Sequence, residues 1–71
     1  MDQTLTRITV NDRERTARTG MSIAELLQEL GLQPKFLAVE LNCRVVSRAD
    51  HQTTVLSDGD RVEIVTLVGG G

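Results

Sequence analysis

The residues with the clearest potential for chemistry are the last three, Gly69, Gly70 and Gly71, which follow a predicted β-strand over residues 61–68. Glycine has no β-carbon, so it can pass through a channel that is too narrow for other residues. Three extended residues also reach about 10 Å beyond a folded body. The pattern is typical of a flexible arm that presents the carboxylate of Gly71, and an ordinary unstructured chain end is the alternative interpretation.

Two other residues could act as catalytic groups, namely Cys43 and His51, the only cysteine and the only histidine. A catalytic pair is disfavoured because they lie in separate predicted loops, so we interpret Cys43 as a plain thiol and His51 as a solvated loop residue. Asp58 and Asp60 flank Gly59 like half of a metal-binding loop, but a turn with solvated carboxylates explains them without a metal. We therefore predict no catalytic residue and no metal site.

The composition is that of one small domain of 71 residues, with eight basic and ten acidic side chains and a net charge of −2. A chain of this size buries only about 60% of its unfolded surface, which leaves little room for an enclosed active site. Neither charge is gathered into a block and Phe36 is the only aromatic residue, which argues against a nucleic-acid or membrane partner. The single cysteine and the lack of an apolar N-terminal run favour a cytoplasmic protein.

The first elements are predicted to form a β-hairpin, with strands over residues 4–10 and 13–18. Thr6, Ile8 and Val10 share one face of the first strand, and Asn11-Asp12 supplies the turn.

A helix is predicted to begin at Ile23. Ser22 followed by Glu25 is a capping-box signature, and Met21 can pack on the apolar stripe that begins with Ile23 and Leu26. Gly31 is predicted to end the helix in a left-handed cap.

A second hairpin is predicted over residues 36–46, with Asn42-Cys43 as its turn, followed by a polar loop or single helical turn and then the last strand. Val62 and Ile64 share the face of that strand that should pack on the helix. Val65 and Leu67 lie on the other face, where apolar side chains near the tail are candidates for a docking surface. The alternative is that they only cover the back of the sheet.

Together these elements predict an α+β fold, in which a small mixed sheet carries one main helix across one face. The order of hairpin, helix, hairpin and final strand matches the ubiquitin-like β-grasp. We expect a β-grasp domain over residues 1–68 and a flexible tail over 69–71.

Over nearly its whole length the chain resembles the ThiS-type sulfur carrier proteins of thiamine biosynthesis. The segments that carry the resemblance are residues 8–11, 22–27, 37–42, 58–65 and 67–71. One departure is Cys43, since the family usually has glycine after the asparagine of this turn. A type I′ turn requires positive φ at both central residues, so a β-carbon at Cys43 predicts a distorted turn or one of another type.

The resemblance implies a function for the tail. A ThiF-like adenylating enzyme would use ATP and magnesium to convert the carboxylate of Gly71 to an acyl-adenylate. Sulfur from a persulfide donor, a cysteine desulfurase, would then replace the AMP to leave a thiocarboxylate. That thiocarboxylate would supply sulfur to thiazole synthase. Gly69 and Gly70 would present the terminus to these partners, and the carrier would bind no cofactor and would not be an enzyme.

Three other functions remain open. A molybdopterin-type carrier shares the fold and the activation chemistry but has a different acceptor. A ubiquitin-like modifier would join Gly71 to lysines of target proteins. A purely structural interaction module would not need its glycines.

Overall fold

The computed structural model describes residues 5–67, so the last four residues, including Gly69, Gly70 and Gly71, lie outside the described part. The strands are β1 (Leu5–Val10), β2 (Arg13–Arg18), β3 (Leu37–Leu41), β4 (Arg44–Val46) and β5 (Arg61–Thr66), and the helix is α1 (Ile23–Glu29). Single 3₁₀ turns cover Pro34–Phe36 and Arg48–Asp50. The predicted order of elements is confirmed.

The five strands form one sheet in the order β2-β1-β5-β3-β4. β1 and β5 run parallel, whereas β1–β2, β3–β4 and β3–β5 are antiparallel, so the sheet is mixed. The strand that leads to the glycine tail therefore lies at the centre, between the two hairpins. This is the predicted β-grasp arrangement.

The ends of α1 follow the predicted signals. The Ser22 hydroxyl accepts a bond from the Glu25 N–H (3.1 Å), and the Glu25 carboxylate accepts one from the Ser22 N–H (2.9 Å), which completes the capping box. At the other end Gly31 has a φ of 73°, and Leu32 N–H donates to Leu27 C=O (2.9 Å). This second bond is the mark of a Schellman cap, which glycine favours because positive φ costs it nothing.

The core lies between α1 and one face of the sheet. Its buried apolar residues come from the helix, from the sheet and from the segments that connect them. They are Ile8, Ala17, Met21, Ile23, Leu26, Leu27, Val39, Leu56 and Val62. Fully burying a side chain such as Leu27 contributes about 1.5–3 kcal/mol. The apolar stripe that the sequence predicts is therefore the buried face of α1.

The prediction of a distorted turn at Asn42-Cys43 is wrong. Leu41 pairs with Arg44 across a two-residue loop, and both Asn42 (φ 52°) and Cys43 (φ 71°) have the positive angles of a type I′ turn. A β-carbon costs roughly 1–2 kcal/mol in this region. The cost is tolerated because Asn42 is fixed from outside the turn, by hydrogen bonds to Arg61.

Two strand boundaries also differ from the sequence prediction. β3 begins at Leu37 because Pro34 starts a 3₁₀ turn that includes Phe36. β5 ends at Thr66, although Leu67 N–H still donates to Phe36 C=O (2.7 Å). Among residues 5–67, no helix has the length and apolar character needed to cross a bilayer.

Candidate functional site

β5 and the residues that hold it form the candidate site, because this strand leads along the chain to the glycine tail. β1 contacts only its start, where Arg61 and Val62 pair with Thr9 and Val10. β3 pairs with residues 62–66. A central strand that is bonded on both sides is a rigid base for a segment presented to a partner.

Asn11 continues the hydrogen bonding between β1 and β5 beyond the end of β1. Its backbone N–H donates to Val62 C=O (2.9 Å). Its side-chain oxygen accepts from Ile64 N–H (2.7 Å), and its amide nitrogen donates to Ile64 C=O (3.2 Å). The side-chain amide thus takes the place of one further residue of β1. Asparagine also tolerates the φ of 50° that the turn requires.

Asn42 contacts the start of β5 from the other hairpin. Its N–H donates to Arg61 C=O (2.8 Å), and its side-chain oxygen accepts from Arg61 N–H (2.9 Å). Its amide nitrogen donates to the carboxylate of Asp60 (3.0 Å). The first residue of each hairpin turn is therefore an asparagine bonded to β5. The sequence contained both residues as turn signals, but it did not reveal their partners.

Asp58 and Asp60 stabilise the turn before β5. Asp58 accepts a bond from Arg7 N–H (2.8 Å), and Asp60 accepts one from Ser57 N–H (2.7 Å). Gly59, at a φ of 87°, donates its N–H to Arg7 C=O (2.7 Å). Within residues 5–67 there is no group of three potential metal ligands. The turn interpretation holds, and both carboxylates have structural hydrogen bonds.

The interpretation of His51 as a solvated residue is wrong. The residue is only 4% exposed. Nε2 lies 3.2 Å from Val46 C=O, and the His51 carbonyl accepts a bond from Ala24 N–H (2.9 Å). Cys43 is exposed at the tip of the β3–β4 hairpin. The imidazole therefore bonds to the backbone and not to the thiol.

An exposed apolar area, here called the outer patch, lies on the part of the sheet face opposite α1 that β3, β4 and β5 form. It consists of Ala38, Val45, Val65 and Leu67. Val65 lies directly opposite Ala38. Val65 is 54% exposed, Leu67 51% and Val45 72%. The predicted exposure of Val65 and Leu67 is confirmed, whereas their role in docking remains a prediction.

Two carboxylates lie beside the outer patch. Glu40 on β3 is directly opposite Glu63 on β5, an arrangement in which like charges repel. Arg61 offsets part of this repulsion, since its Nε is 3.8 Å from Glu63, but the same guanidinium also bonds to Asp12 (2.7 Å). The patch is therefore an apolar surface with an acidic margin.

Comparison with known proteins tests the resemblance. The ThiS family model matches residues 3–71. The chain belongs to the ThiS family. A crystal structure of this family, thiamine biosynthesis protein ThiS from Geobacter metallireducens, superposes with a TM-score of 0.81. It is 35% identical and covers 93% of this chain and 100% of that one.

Two curated relatives bear on the function of this ThiS-family chain. Sulfur carrier protein ThiS of Escherichia coli strain K12 is 26% identical over 92% of this chain and 98% of its own length. A thiazole synthase of Paramagnetospirillum magneticum is 35% identical over 92% of this chain. The chain spans only 20% of the length of that thiazole synthase.

Proposed function

We propose that the protein is a sulfur carrier whose reactive group is the carboxylate of Gly71. The observation that carries this proposal is the family match over residues 3–71, which includes the three glycines. The similarity to a sulfur carrier over nearly the full length of both chains supports it. In this role the protein is a recycled co-substrate and the catalysts are its partners.

The chemistry must begin with activation, because a carboxylate is a poor electrophile with a poor leaving group. A ThiF-like enzyme, using ATP and magnesium, joins the Gly71 carboxylate to AMP and releases pyrophosphate. A persulfide donor, a cysteine desulfurase product, then displaces AMP through its terminal sulfur and forms an acyl disulfide. A thiol reductant cleaves the S–S bond of that intermediate, which leaves the thiocarboxylate on Gly71 and oxidises the thiol to a disulfide. None of these steps needs an acid, a base or a metal from the carrier.

The carrier contributes position. Asn11 and Asn42 hold β5 from its two sides, so the tail starts from a strand with a fixed direction. Gly69 and Gly70 allow the terminus to enter a narrow channel. Holding the carboxylate beside ATP converts a bimolecular reaction into one between fixed groups, which is an advantage of proximity and orientation.

The outer patch is the proposed docking surface for the adenylating enzyme. Val65 and Leu67 lie on the strand that leads to the tail, so an enzyme that encloses the tail must pass close to them. Burial of such side chains contributes about 25 cal/mol per Å² before the cost of association. The carboxylates of Glu40 and Glu63 would select a partner with a basic side chain at the margin.

Thiazole synthase is the proposed acceptor. A segment similar to this chain makes up about a fifth of a thiazole synthase, as it would if carrier and acceptor acted in sequence. This relationship favours the thiazole pathway over molybdopterin synthesis. The glycine tail could not make this distinction, because thiamine-type and molybdopterin-type carriers share it.

A three-part experiment tests the proposal. The protein is incubated with a ThiF-like enzyme, ATP, magnesium, a persulfide donor and a thiol reductant, and its intact mass is measured. We expect the mass change of one oxygen replaced by sulfur, and no change in a matched variant with alanine added after Gly71. The loaded protein is then given to thiazole synthase or to the large subunit of molybdopterin synthase. Sulfur loading of the extended variant would disprove the role of Gly71, and transfer only to the latter enzyme would disprove the acceptor.

A further inference from the structure

The backbone of β5 has an open edge at Thr66. In an antiparallel ladder, successive residues direct their backbone groups alternately towards and away from the neighbouring strand. Leu67 donates to Phe36 C=O and Arg61 C=O accepts from Asn42, so the odd-numbered residues of β5 bond to β3. The even-numbered residues, including Thr66, direct their N–H and C=O groups to the β1 side.

On that side the partners end before β5 does. The last β1 pair joins Val10 to Val62, and the Asn11 side chain occupies both backbone groups of Ile64. Thr66 is next in line. Within residues 5–67, neither its N–H nor its C=O has a hydrogen-bond partner. Thr66 thus offers one donor and one acceptor, spaced as a further strand would require.

A groove of about 550 Å³ lies beside this edge, and Thr66 forms part of its wall. Leu30, Leu32 and Ile64 supply apolar surface, and all three are only partly buried against the core. A strand that bonded to Thr66 would place alternate side chains over this surface, since successive side chains point to opposite faces. A helix could not do so, because its own backbone groups bond to one another.

The charge beside the groove indicates what such a strand should carry. Arg13 and Arg15 share the helix-side face of β2, because they pair with Val10 and Ile8. Glu29 neutralises Arg15 at 3.2 Å, whereas Arg13 has no ion pair among the described residues. Glu14 also lines the groove, but its side chain alternates to the other face. A carboxylate on the incoming strand would complement Arg13.

We propose that the β5 edge at Thr66 is a strand-addition site for an extended segment of the adenylating enzyme, with an apolar residue over Leu30 and Leu32 and a carboxylate opposite Arg13. The inference rests on the proposed function, since the occupant is the enzyme that receives the tail. Strand addition obtains affinity from main-chain bonds and specificity from alternate side chains. Here the added strand would also fix the position of β5 relative to the enzyme. That position would determine how far the tail reaches into the enzyme.

Amide hydrogen exchange measured by NMR on the full chain, free and bound to the enzyme, tests this site. The internal control is Val65, whose odd-numbered position bonds its N–H to β3 in both states. We expect the Thr66 amide to exchange fast in the free protein and about tenfold more slowly in the complex. An unprotected Thr66 amide in the complex would overturn the proposal. So would its protection in the free protein at rising concentration, because a second copy would then occupy the edge.

A pair of variants supplies the second readout. Thr66→Pro removes the outward N–H without touching a bond to β3, and proline is tolerated where a strand's N–H faces away from its neighbour. Thr66→Val is the matched control, since it also lacks the hydroxyl but keeps the N–H. We expect Thr66→Pro to bind the enzyme about tenfold more weakly than Thr66→Val, with equal melting temperatures.

The two proposals fail in different ways. Equal binding of the two variants, with adenylation intact, would overturn strand addition alone and leave the sulfur-carrier proposal standing. No adenylation and no complex with the wild-type protein would overturn both. Unfolding of Thr66→Pro would shift the decision to the amide measurement, which uses the unmodified chain.

Discussion

The side-chain amide of Asn11 forms both of its hydrogen bonds with the backbone of Ile64, at 2.7 Å and 3.2 Å. A turn residue of the first hairpin thereby acts as one more unit of the strand that precedes it. The N-terminal hairpin and the tail-bearing strand are joined beyond the point where β1 ends.

Asn11→Ala is expected to lower the free energy of unfolding by about 1–3 kcal/mol, because two hydrogen bonds are lost and alanine is strained at positive φ. Asn11→Gly separates these effects, since glycine accepts the φ of 50° but has no amide. Urea unfolding should rank wild type above Asn11→Gly and Asn11→Gly above Asn11→Ala. Wild-type stability in Asn11→Gly would mean that the Ile64 bonds contribute nothing.

Leu27→Ala tests the buried face of α1. Leu27 is 1% exposed, and truncation of such a residue costs about 2–5 kcal/mol. In a small domain with a total stability near 5 kcal/mol, this change could unfold the protein. Gln28→Ala is the control, because Gln28 is the next residue and is exposed. The thermal midpoint should fall sharply for the first variant and stay near wild type for the second. Equal midpoints would contradict the assignment.

Cys43 is predicted to be dispensable for sulfur loading, because the sulfur comes from the donor. Cys43→Gly should raise stability by up to about 1 kcal/mol, since glycine removes the strain at a φ of 71° but adds freedom to the unfolded chain. Cys43→Ala keeps the β-carbon and lacks the thiol, so its stability should match wild type. Thiocarboxylate formation, measured by intact mass, should persist in both folded variants. Its loss in both would implicate the thiol.

Val65→Asp is predicted to weaken docking of the adenylating enzyme. The aspartate puts a charge into the outer patch, so the apparent KM for the carrier should rise about tenfold while kcat changes little. Thr16→Asp is the matched control, because Thr16 is exposed on the same face but lies on the edge strand β2. Circular dichroism and melting should show both variants folded. Unchanged kinetics in folded Val65→Asp would place the docking surface elsewhere.

Much of the fold could be predicted because its signals are local. Ser22 and Glu25 are three residues apart, and the glycine cap needs only Gly31 and its neighbours. The outward-facing positions of Val65 and Leu67 likewise follow from alternation along a single strand. Such patterns are physical constraints that a short window of sequence contains in full.

What could not be predicted depends on partners distant in the chain. His51 lies in a polar segment, and nothing near it in sequence indicates that it will be buried. Asn11 and Ile64 are separated by most of the chain, so the amide bonds follow only from the strand order. The preference of Cys43 for negative φ predicts a distorted turn, whereas the contacts of Asn42 decide its conformation.

The central position of β5 has a consequence for the order in which the molecule is made. β5 is the last strand along the described chain, yet it separates the two hairpins. Before β5 is synthesised, the two hairpins have no strand that pairs with both of them. An isolated hairpin is marginally stable at best in water. A chain broken off before β5 leaves core residues such as Ile8 and Val39 without the strand that joins them. The sheet is therefore complete only in chains that include β5. Only such chains display the outer patch to an enzyme.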